Sequence, residues 1–326
     1  MRGKYHIHVS NRALSFDFTL SRNITIICGD SATGKTTLVD MIREYELQGT
    51  DSAVQISCEK PCVVVEGNSW KRQLRELESE SIVFIDEGNR FVSSQEFAEA
   101  AQNSGNYYVI VTRENLYNLP YSVTEIYGIK SSGKYNSLRP VYHELYRVYG
   151  EKVDDSCNIY NTVITEDSHS GFQFFKDVCS DTVTCVPADG NSNILAMIRK
   201  AAAENTTPCL IIADGSAFGA FMAQIHMFME HRTDVHLYLP ESFEWLILTS
   251  GLIDGNRVRD ILETPEKYIE SSQYFSWEQF FTATLIDETK DSYLRYQKSS
   301  LNPAYLRKRE KEAILAVIPK AIRENL

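Results

Sequence analysis

Apolar and polar residues alternate near the start of the chain, over 5–9 and again over 13–20. Alternation with a period of two predicts strands that bury one face, and the polar stretch 10–12 between them predicts a turn. These residues therefore predict a β-hairpin. An apolar, β-branched stretch follows over 23–28, and such a stretch is typical of a buried strand.

A helical period begins after this strand, with Leu38, Met41 and Ile42 on one face. Residues 44–61 are polar and irregular. Beyond them the pattern alternates between strand and helix, which is typical of an α/β fold. The remaining predicted elements of the first half are strands at 61–65, 81–85, 106–111 and 123–129 and a helix at 70–80.

The alternation pauses over 131–158, which we interpret as a linker. It then restarts, and its order predicts a doubly wound parallel sheet. The pattern from residue 252 onward is helical. We expect two domains, 1–140 and 155–326. The predicted strands of the second are 161–165, 181–186, 208–213 and 234–239, and its predicted helices are 172–178, 192–203 and 218–231.

One glycine-rich stretch joins the buried strand at 23–28 to the first helix and fits G-x-x-x-x-G-K-[ST], the phosphate-binding loop. Glycines allow the tight turn in which backbone N–H groups face phosphate oxygens. The lysine is placed to reach the β- and γ-phosphates, and the next hydroxyl to ligate Mg²⁺. The stretch predicted to hold ATP is Gly29, Asp30, Ser31, Ala32, Thr33, Gly34, Lys35, Thr36 and Thr37.

The strand at 81–85 ends in Asp86 and Glu87, the pattern of a Walker B strand. We expect Asp86 to share a Mg²⁺ ion with Thr36 and Glu87 to activate the attacking water. The next strand ends in Thr112 and Arg113. We interpret Thr112 as the candidate sensor of the γ-phosphate and Arg113 as a second candidate for that role. The predicted catalytic residues are therefore Lys35, Glu87 and Thr112.

Residues 1–130 resemble an ABC/AAA-type P-loop ATPase in reduced form, because these motifs follow an antiparallel hairpin like that of ABC-type ATPases and their RecF/SMC relatives. The ABC signature of serine and two glycines is missing between the Walker motifs, and no arginine finger is identifiable. The interval from Lys35 to Asp86 is also too short for an ABC helical subdomain. The resemblance implies ATP hydrolysis that is slow or needs a partner.

Acidic residues follow three predicted strands of the second half. Glu166 ends the first strand, Asp214 the third, and Glu244 lies after the fourth. This order resembles a Toprim domain, in which such acids bind Mg²⁺, except that Ser216 stands where a second aspartate belongs. Proteins of the OLD family join an ABC-type ATPase to a Toprim domain in the same order. The resemblance implies metal-dependent nucleic-acid cleavage, in a phage-defence or mobile-element setting. The alternative explanation is that these acids cap the N-termini of helices.

Composition narrows the classes of protein. The formal charge is −11, and most of it lies in the second half, which argues against a surface that coats nucleic acid. The apolar runs are shorter than a membrane span, and the N-terminus lacks an apolar signal core. Seven cysteines without C-x-x-C spacing suit reduced thiols rather than structural zinc. These features predict a cytoplasmic protein without a membrane partner.

The sequence therefore predicts a hydrolase that binds ATP and Mg²⁺ and whose nucleotide state controls the second domain, with DNA, RNA, a partner protein or a further copy of the chain as possible partners. Two alternatives stay open. One is an ATP-dependent switch without nuclease activity, which Ser216 and the acidic surface favour. The other is a small-molecule kinase, although the pair Asp86 and Glu87 suits water activation better.

Overall fold

The structure, a computed structural model, describes residues 1–30, 33–77, 80–133, 141–150 and 159–326. The predicted linker at 131–158 falls partly outside these residues, as do Ser31 and Ala32 of the glycine-rich stretch. The chain divides into two compact units. The first consists of Met1–Gly150 with Thr264–Phe275, and the second of Glu151–Glu263 with Ser276–Leu326.

The first unit is built on one mixed β-sheet. Among the described residues the sheet has nine strands, in the order β4-β1-β2-β9-β8-β3-β7-β6-β5. The strands are β1 (Tyr5–Ser10), β2 (Leu14–Leu20), β3 (Ile24–Ile27), β4 (Gln55–Ser57), β5 (Cys62–Val64), β6 (Ile82–Ile85), β7 (Tyr107–Val111), β8 (Ile126–Ser131) and β9 (Val141–Arg147). The helices are α1 (Lys35–Gln48), α2 (Trp70–Glu76) and α3 (Gln95–Gln102).

The predicted hairpin and the apolar strands meet in one core. β1 and β2 pair in antiparallel register from Tyr5 opposite Leu20 to Ser10 opposite Ser15. Their inward side chains pack against α1 and against buried side chains of β6 and β7. A fully buried aliphatic or phenyl side chain contributes roughly 1.5–3 kcal/mol, so this packing fixes α1 against the sheet.

The second unit contains a parallel sheet with helices, as the strand and helix rhythm predicted. Its described strands follow the order β11-β10-β12-β13. They are β10 (Thr162–Thr165), β11 (Thr184–Pro187), β12 (Cys209–Ile212) and β13 (Val235–Tyr238). The helices are α4 (Ser170–Val178), α5 (Asn191–Ala203), α6 (Gly219–Met229), α7 (Phe243–Thr249), α8 (Asn256–Glu263), α9 (Trp277–Thr289), α10 (Lys308–Val317) and α11 (Lys320–Arg323).

Three local predictions in the first unit were wrong. Part of the expected linker is β9, which forms because β2 on one side and β8 on the other satisfy its backbone hydrogen-bonding groups. The region expected to be irregular contains β4, which adds to the edge at β1. The expected strand at 123–129 begins later, since Ser122 accepts a hydrogen bond from the Thr124 N–H and caps a short 3₁₀ turn.

A segment from the second half of the sequence belongs to the first unit. Residues Thr264–Phe275 cluster with Met1–Gly150, where the sequence pattern suggested one continuous domain over 155–326. The backbone N–H of Gly3 donates to the carbonyl of Glu266 at 2.7 Å, and the Lys4 ammonium lies 3.2 Å from the Glu266 carboxylate. Long-range contacts of this kind leave no local signal in the sequence. Among the described residues, no helix combines the length and the apolar character needed to cross a bilayer.

Candidate functional site

The glycine-rich stretch lies between β3 and α1, as predicted. Gly34 adopts a positive φ of 97° and α1 begins at the next residue, Lys35. Gly29 also has a positive φ, of 112°. Both backbone conformations are disfavoured for residues with a side chain, so the two glycines of the pattern occupy the positions that require them. The N-terminal end of α1, with its partial positive charge, therefore follows directly on the loop.

The Lys35 side chain folds back into this loop. It is 5% exposed, and its ammonium donates to the Gly29 carbonyl at 2.9 Å, to the Asp30 carbonyl and to the Thr33 hydroxyl at 3.2 Å. The loop thus encloses a positive charge held by weak neutral acceptors. A phosphate group offers charged oxygens in their place, and such charge-assisted hydrogen bonds are the stronger kind.

The sheet brings the two acidic residues after β6 to this loop. β7 pairs with β3 on one side and with β6 on the other, all in parallel, so the three strands end at the same edge. The Thr36 hydroxyl donates to Asp86 Oδ1 at 3.4 Å across that edge. Two oxygen ligands therefore lie close together beside the loop, and oxygen is the ligand atom that Mg²⁺ prefers. The donor atoms of these two residues fit a magnesium ion.

Glu87 and Thr112 occupy the same edge. The Glu87 carboxylate pairs with the Arg113 guanidinium at 3.1 Å, and both side chains are about half exposed. Thr112 is buried at the end of β7, where its hydroxyl accepts from the Glu114 N–H at 2.9 Å. The structure therefore brings Glu87, Thr112 and Arg113 to the ends of the central strands.

Two residues near the loop were missed by the sequence reasoning. Asn89 donates to the Asp86 carbonyl at 2.9 Å and accepts from the Gly67 N–H at 2.8 Å, so it holds the turn after β6.

His143 is the second of these residues. It stacks on Phe16 with ring centroids 4.4 Å apart. A Cβ atom at Gly34 would lie only 3.1 Å from His143 Nε2, so this imidazole forms the floor of the loop. Burial lowers the pKa of His143. The sequence gives no signal for His143, because only the position of β9 in the sheet brings it to the loop.

In the second unit, the structure brings together the three acids predicted from the ends of strands. Glu166 follows β10 and Asp214 follows the adjacent strand β12, and Glu166 Oε2 accepts the Asp214 N–H at 2.8 Å. Asp214 Oδ1 accepts the Phe243 N–H at 3.2 Å. Glu244 lies in the first turn of α7, where Ser242 caps the helix by accepting from the Trp245 N–H. All three acids line one cavity.

Tyr296 and Lys298 also line this cavity, and the sequence gave no signal for either. The Tyr296 hydroxyl donates to Glu244 Oε1 at 2.7 Å and lies 2.6 Å from the Ser170 hydroxyl. The Lys298 ammonium forms an ion pair with Glu278. Both residues follow α9 in an irregular segment, so only the folding of that segment over the sheet brings them to the acids.

Burial and electrostatic interactions shift the pKa values of the groups in this cavity. Burial, followed by repulsion from Glu278 and Asp167, raises the pKa of Glu166 to about 7. Burial, followed by repulsion from Glu278, Glu166 and Glu244, raises the pKa of Asp214 well above its usual range. Burial alone lowers the pKa of Lys298, but attraction to these carboxylates outweighs it and the net pKa is raised. Glu166, Asp214 and Lys298 therefore each keep their proton to a higher pH than they would in water.

The acids of this cavity were predicted to bind a second magnesium ion. In the part of the chain that the structure describes, no three His, Cys, Asp or Glu side chains are arranged to hold a metal ion. Carboxylate oxygens of Glu166, Asp214 and Glu244 accept hydrogen bonds from two backbone N–H groups and from Tyr296. Ser216 is buried, and none of the described atoms is a hydrogen-bond partner for its hydroxyl. Glu166, Asp214 and Glu244 as ligands of a second magnesium ion therefore stay a prediction.

The glycine-rich loop and the acidic cavity are thus each built within one unit, from residues at the carboxyl ends of parallel strands. No protein-family model, curated protein or solved structure matches this chain.

Proposed function

We propose that the first unit binds ATP with Mg²⁺ and hydrolyses it. The observation that carries this proposal is the contact between Thr36 and Asp86, because it places the end of β6 against the glycine-rich loop. A positively charged loop at a helix N-terminus suits polyphosphate, and two adjacent oxygens suit a metal bound to that polyphosphate.

Each residue has a distinct part in this reaction. The Lys35 ammonium exchanges its loop carbonyls for phosphate oxygens and stabilises the charge that develops on the γ-phosphate. Thr36 and Asp86 would hold Mg²⁺, which neutralises phosphate charge. Glu87 orients the attacking water and accepts its proton. Thr112, at the end of the strand between the two motifs, donates its hydroxyl proton toward the γ-phosphate.

Release of phosphate from ATP tests the proposal. We expect Mg²⁺-dependent release by the wild type, loss of nucleotide binding in Lys35→Ala, and retained binding with little turnover in Glu87→Gln. Lys130→Ala changes an exposed lysine on β8 and serves as the matched control. Turnover that persists in Lys35→Ala would refute the proposal. Transfer of phosphate to a metabolite without release to water would favour the small-molecule kinase instead.

Nucleic-acid cleavage in the second unit is a second candidate, favoured by the meeting of Glu166, Asp214 and Glu244 in one cavity. Plasmid DNA and RNA incubated with Mg²⁺, with and without ATP, test it. Cleavage that is lost in Asp214→Asn would support a nuclease controlled by nucleotide. ATP turnover without any cleavage would favour the alternative of an ATP-dependent switch, in which the second unit binds a partner.

A further inference from the structure

The segment Thr264–Phe275, which we call the strap, belongs to the first unit although both helices that flank it belong to the second. α8 ends at Glu263, directly before the strap. α9 begins at Trp277, and the single residue between them, Ser276, caps α9 by accepting a hydrogen bond from the Gln279 N–H. A displacement of the strap is therefore passed directly to the ends of two helices of the second unit.

The beginning of the chain holds the first part of the strap. The Gly3 N–H donates to the Glu266 carbonyl at 2.7 Å, and the Ser271 N–H donates to the Met1 carbonyl at 3.1 Å. The Glu266 carboxylate lies 3.2 Å from the Lys4 ammonium, and both Glu266 and Ser271 are buried. Buried polar groups are costly when they lose their partners, so these bonds fix this part of the strap on the first unit.

A side chain beside the central strand holds the last residue of the strap. The Asn23 amide donates to the Phe275 carbonyl at 3.0 Å, and Phe275 is buried. Asn23 directly precedes β3, and its own carbonyl accepts the Tyr108 N–H at 2.8 Å, where the pairing of β3 with β7 begins. The end of the strap that adjoins α9 is thus attached to the strands at the centre of the first unit.

α9 in turn positions a residue of the acidic cavity. The Thr289 hydroxyl, in the last turn of α9, accepts the Tyr296 N–H at 3.0 Å and donates to the Leu285 carbonyl at 2.7 Å. Tyr296 lines the cavity, and its hydroxyl donates to Glu244. Thr289 and Tyr296 are both almost fully buried. The place of Tyr296 among the acids therefore depends on α9.

We propose that the strap transmits the stability of the first unit to α9 and to the acidic cavity, so that the two units do not unfold independently. When the first unit unfolds, the strap loses the partners that hold it, and α8 and α9 lose the support at the ends that adjoin it. A ligand that stabilises the first unit then also stabilises the cavity, because binding to a folded state raises its stability by mass action. This coupling does not depend on ATP hydrolysis in the first unit.

Urea denaturation followed by tryptophan fluorescence tests the proposal. Trp70→Phe leaves Trp245 and Trp277 as reporters, and both lie in the second unit. Val109→Ala then weakens the first unit, because Val109 is fully buried in β7. The measured quantity is the shift that this second substitution causes in the urea midpoint of the second unit.

The shift is compared in three backgrounds, which are the original strap, Asn23→Ala and Asn118→Ala. Asn23→Ala removes the amide that holds Phe275. Asn118→Ala is the matched control, because the Asn118 amide also donates to backbone carbonyls, those of Val92 and Ser94, which lie in the first unit outside the strap. The join between the units at 150–151 is the same in every variant.

We expect Val109→Ala to lower the midpoint of the second unit with the original strap and to lower it equally in Asn118→Ala. In Asn23→Ala the shift should be smaller by about twofold or more, because the units no longer share one transition. Absence of a shift with the original strap would overturn the proposal, as would equal shifts in Asn23→Ala and Asn118→Ala. If Val109→Ala does not fold, Ile110→Val removes less buried volume from the same strand and replaces it, with the same outcomes.

Discussion

The Thr36 hydroxyl lies 3.4 Å from Asp86 Oδ1, although 50 residues separate them in sequence. Thr36 belongs to the first turn of α1 and Asp86 follows β6, and β7 lies between β6 and the strand that precedes α1. The contact therefore depends on the order of the strands in the sheet. It brings two oxygen ligands together beside the Lys35 ammonium.

The contact predicts that Thr36 and Asp86 act together on one metal ion in ATP turnover. Thr36→Ala and Asp86→Asn should each lower the rate of Mg²⁺-dependent turnover by roughly tenfold or more, because a bound metal supplies several kcal/mol of charge stabilisation. The double variant should be little worse than the worse single variant, since neighbouring residues that share a partner are not additive.

Phosphate release at saturating ATP measures this coupling. Asp40→Asn is the control, because Asp40 lies on the same helix but is exposed and pairs with Arg43. If the effects of the two single variants on turnover simply add in the double variant, Thr36 and Asp86 do not share a metal.

Arg113 restrains Glu87 in the structure, through an ion pair of 3.1 Å. Removing the guanidinium frees the carboxylate to orient the attacking water, so Arg113→Met should raise the basal turnover rate without changing ATP affinity. The increase should stay within about fivefold, because an exposed ion pair contributes about 1 kcal/mol or less. Arg90→Met, an exposed arginine in the neighbouring 3₁₀ turn, serves as the control. A fall in turnover would show that Arg113 assists the reaction instead.

Gly34 is predicted to be irreplaceable. Gly34→Ala combines a strained φ of 97° with a contact of 3.1 Å to His143 Nε2, whereas Gly29→Ala combines a similar φ with open space. Backbone strain of this kind costs about 1–3 kcal/mol. Gly34→Ala should therefore lower the free energy of unfolding more than Gly29→Ala does, and urea denaturation compares the two. Adding His143→Ala should recover only the part due to the contact; full recovery would show that φ strain is negligible.

The pKa of Glu166 predicts a pH dependence of stability. Its pKa in the folded state is raised to about 7 from the ordinary value of 4.5, so between these values the folded state holds a proton that the unfolded state has lost. The contribution of Glu166 to the free energy of unfolding should therefore fall as the pH rises from about 4.5 to about 7 and then level off, while Asp214, whose pKa is also raised, adds a fall of its own. The shift corresponds to at most about 3 kcal/mol.

Urea denaturation across this pH range, in the presence of a chelator, measures the effect. Trp70→Phe in all variants leaves Trp245 and Trp277 as fluorescence reporters, and both lie in the second unit. Glu166→Gln should make the fall in stability between pH 4.5 and 7 less steep, and the exposed Glu204→Gln should not. An unchanged slope in Glu166→Gln would assign the dependence to another group.

Local patterns were sufficient for much of the fold. The alternating hairpin, the buried strand, the amphipathic helix after the loop and the strand–helix rhythm of the second unit all lie where the period predicts them. The predictions failed where a partner distant in sequence decides the structure. β9 exists because β2 and β8 flank it, and Thr264–Phe275 joins the first unit through contacts with the beginning of the chain.

The sequence by itself determined the residues of the glycine-rich loop, the acids at the ends of strands and the α/β class, because each is written in neighbouring residues or in a short period. Only the tertiary structure decided which of these residues meet. Strand order set Thr36 against Asp86, and the fold of the segment after α9 placed Tyr296 and Lys298 among the acids of the second unit. Charge compensation in a buried cavity depends on distance in space, which sequence spacing does not encode.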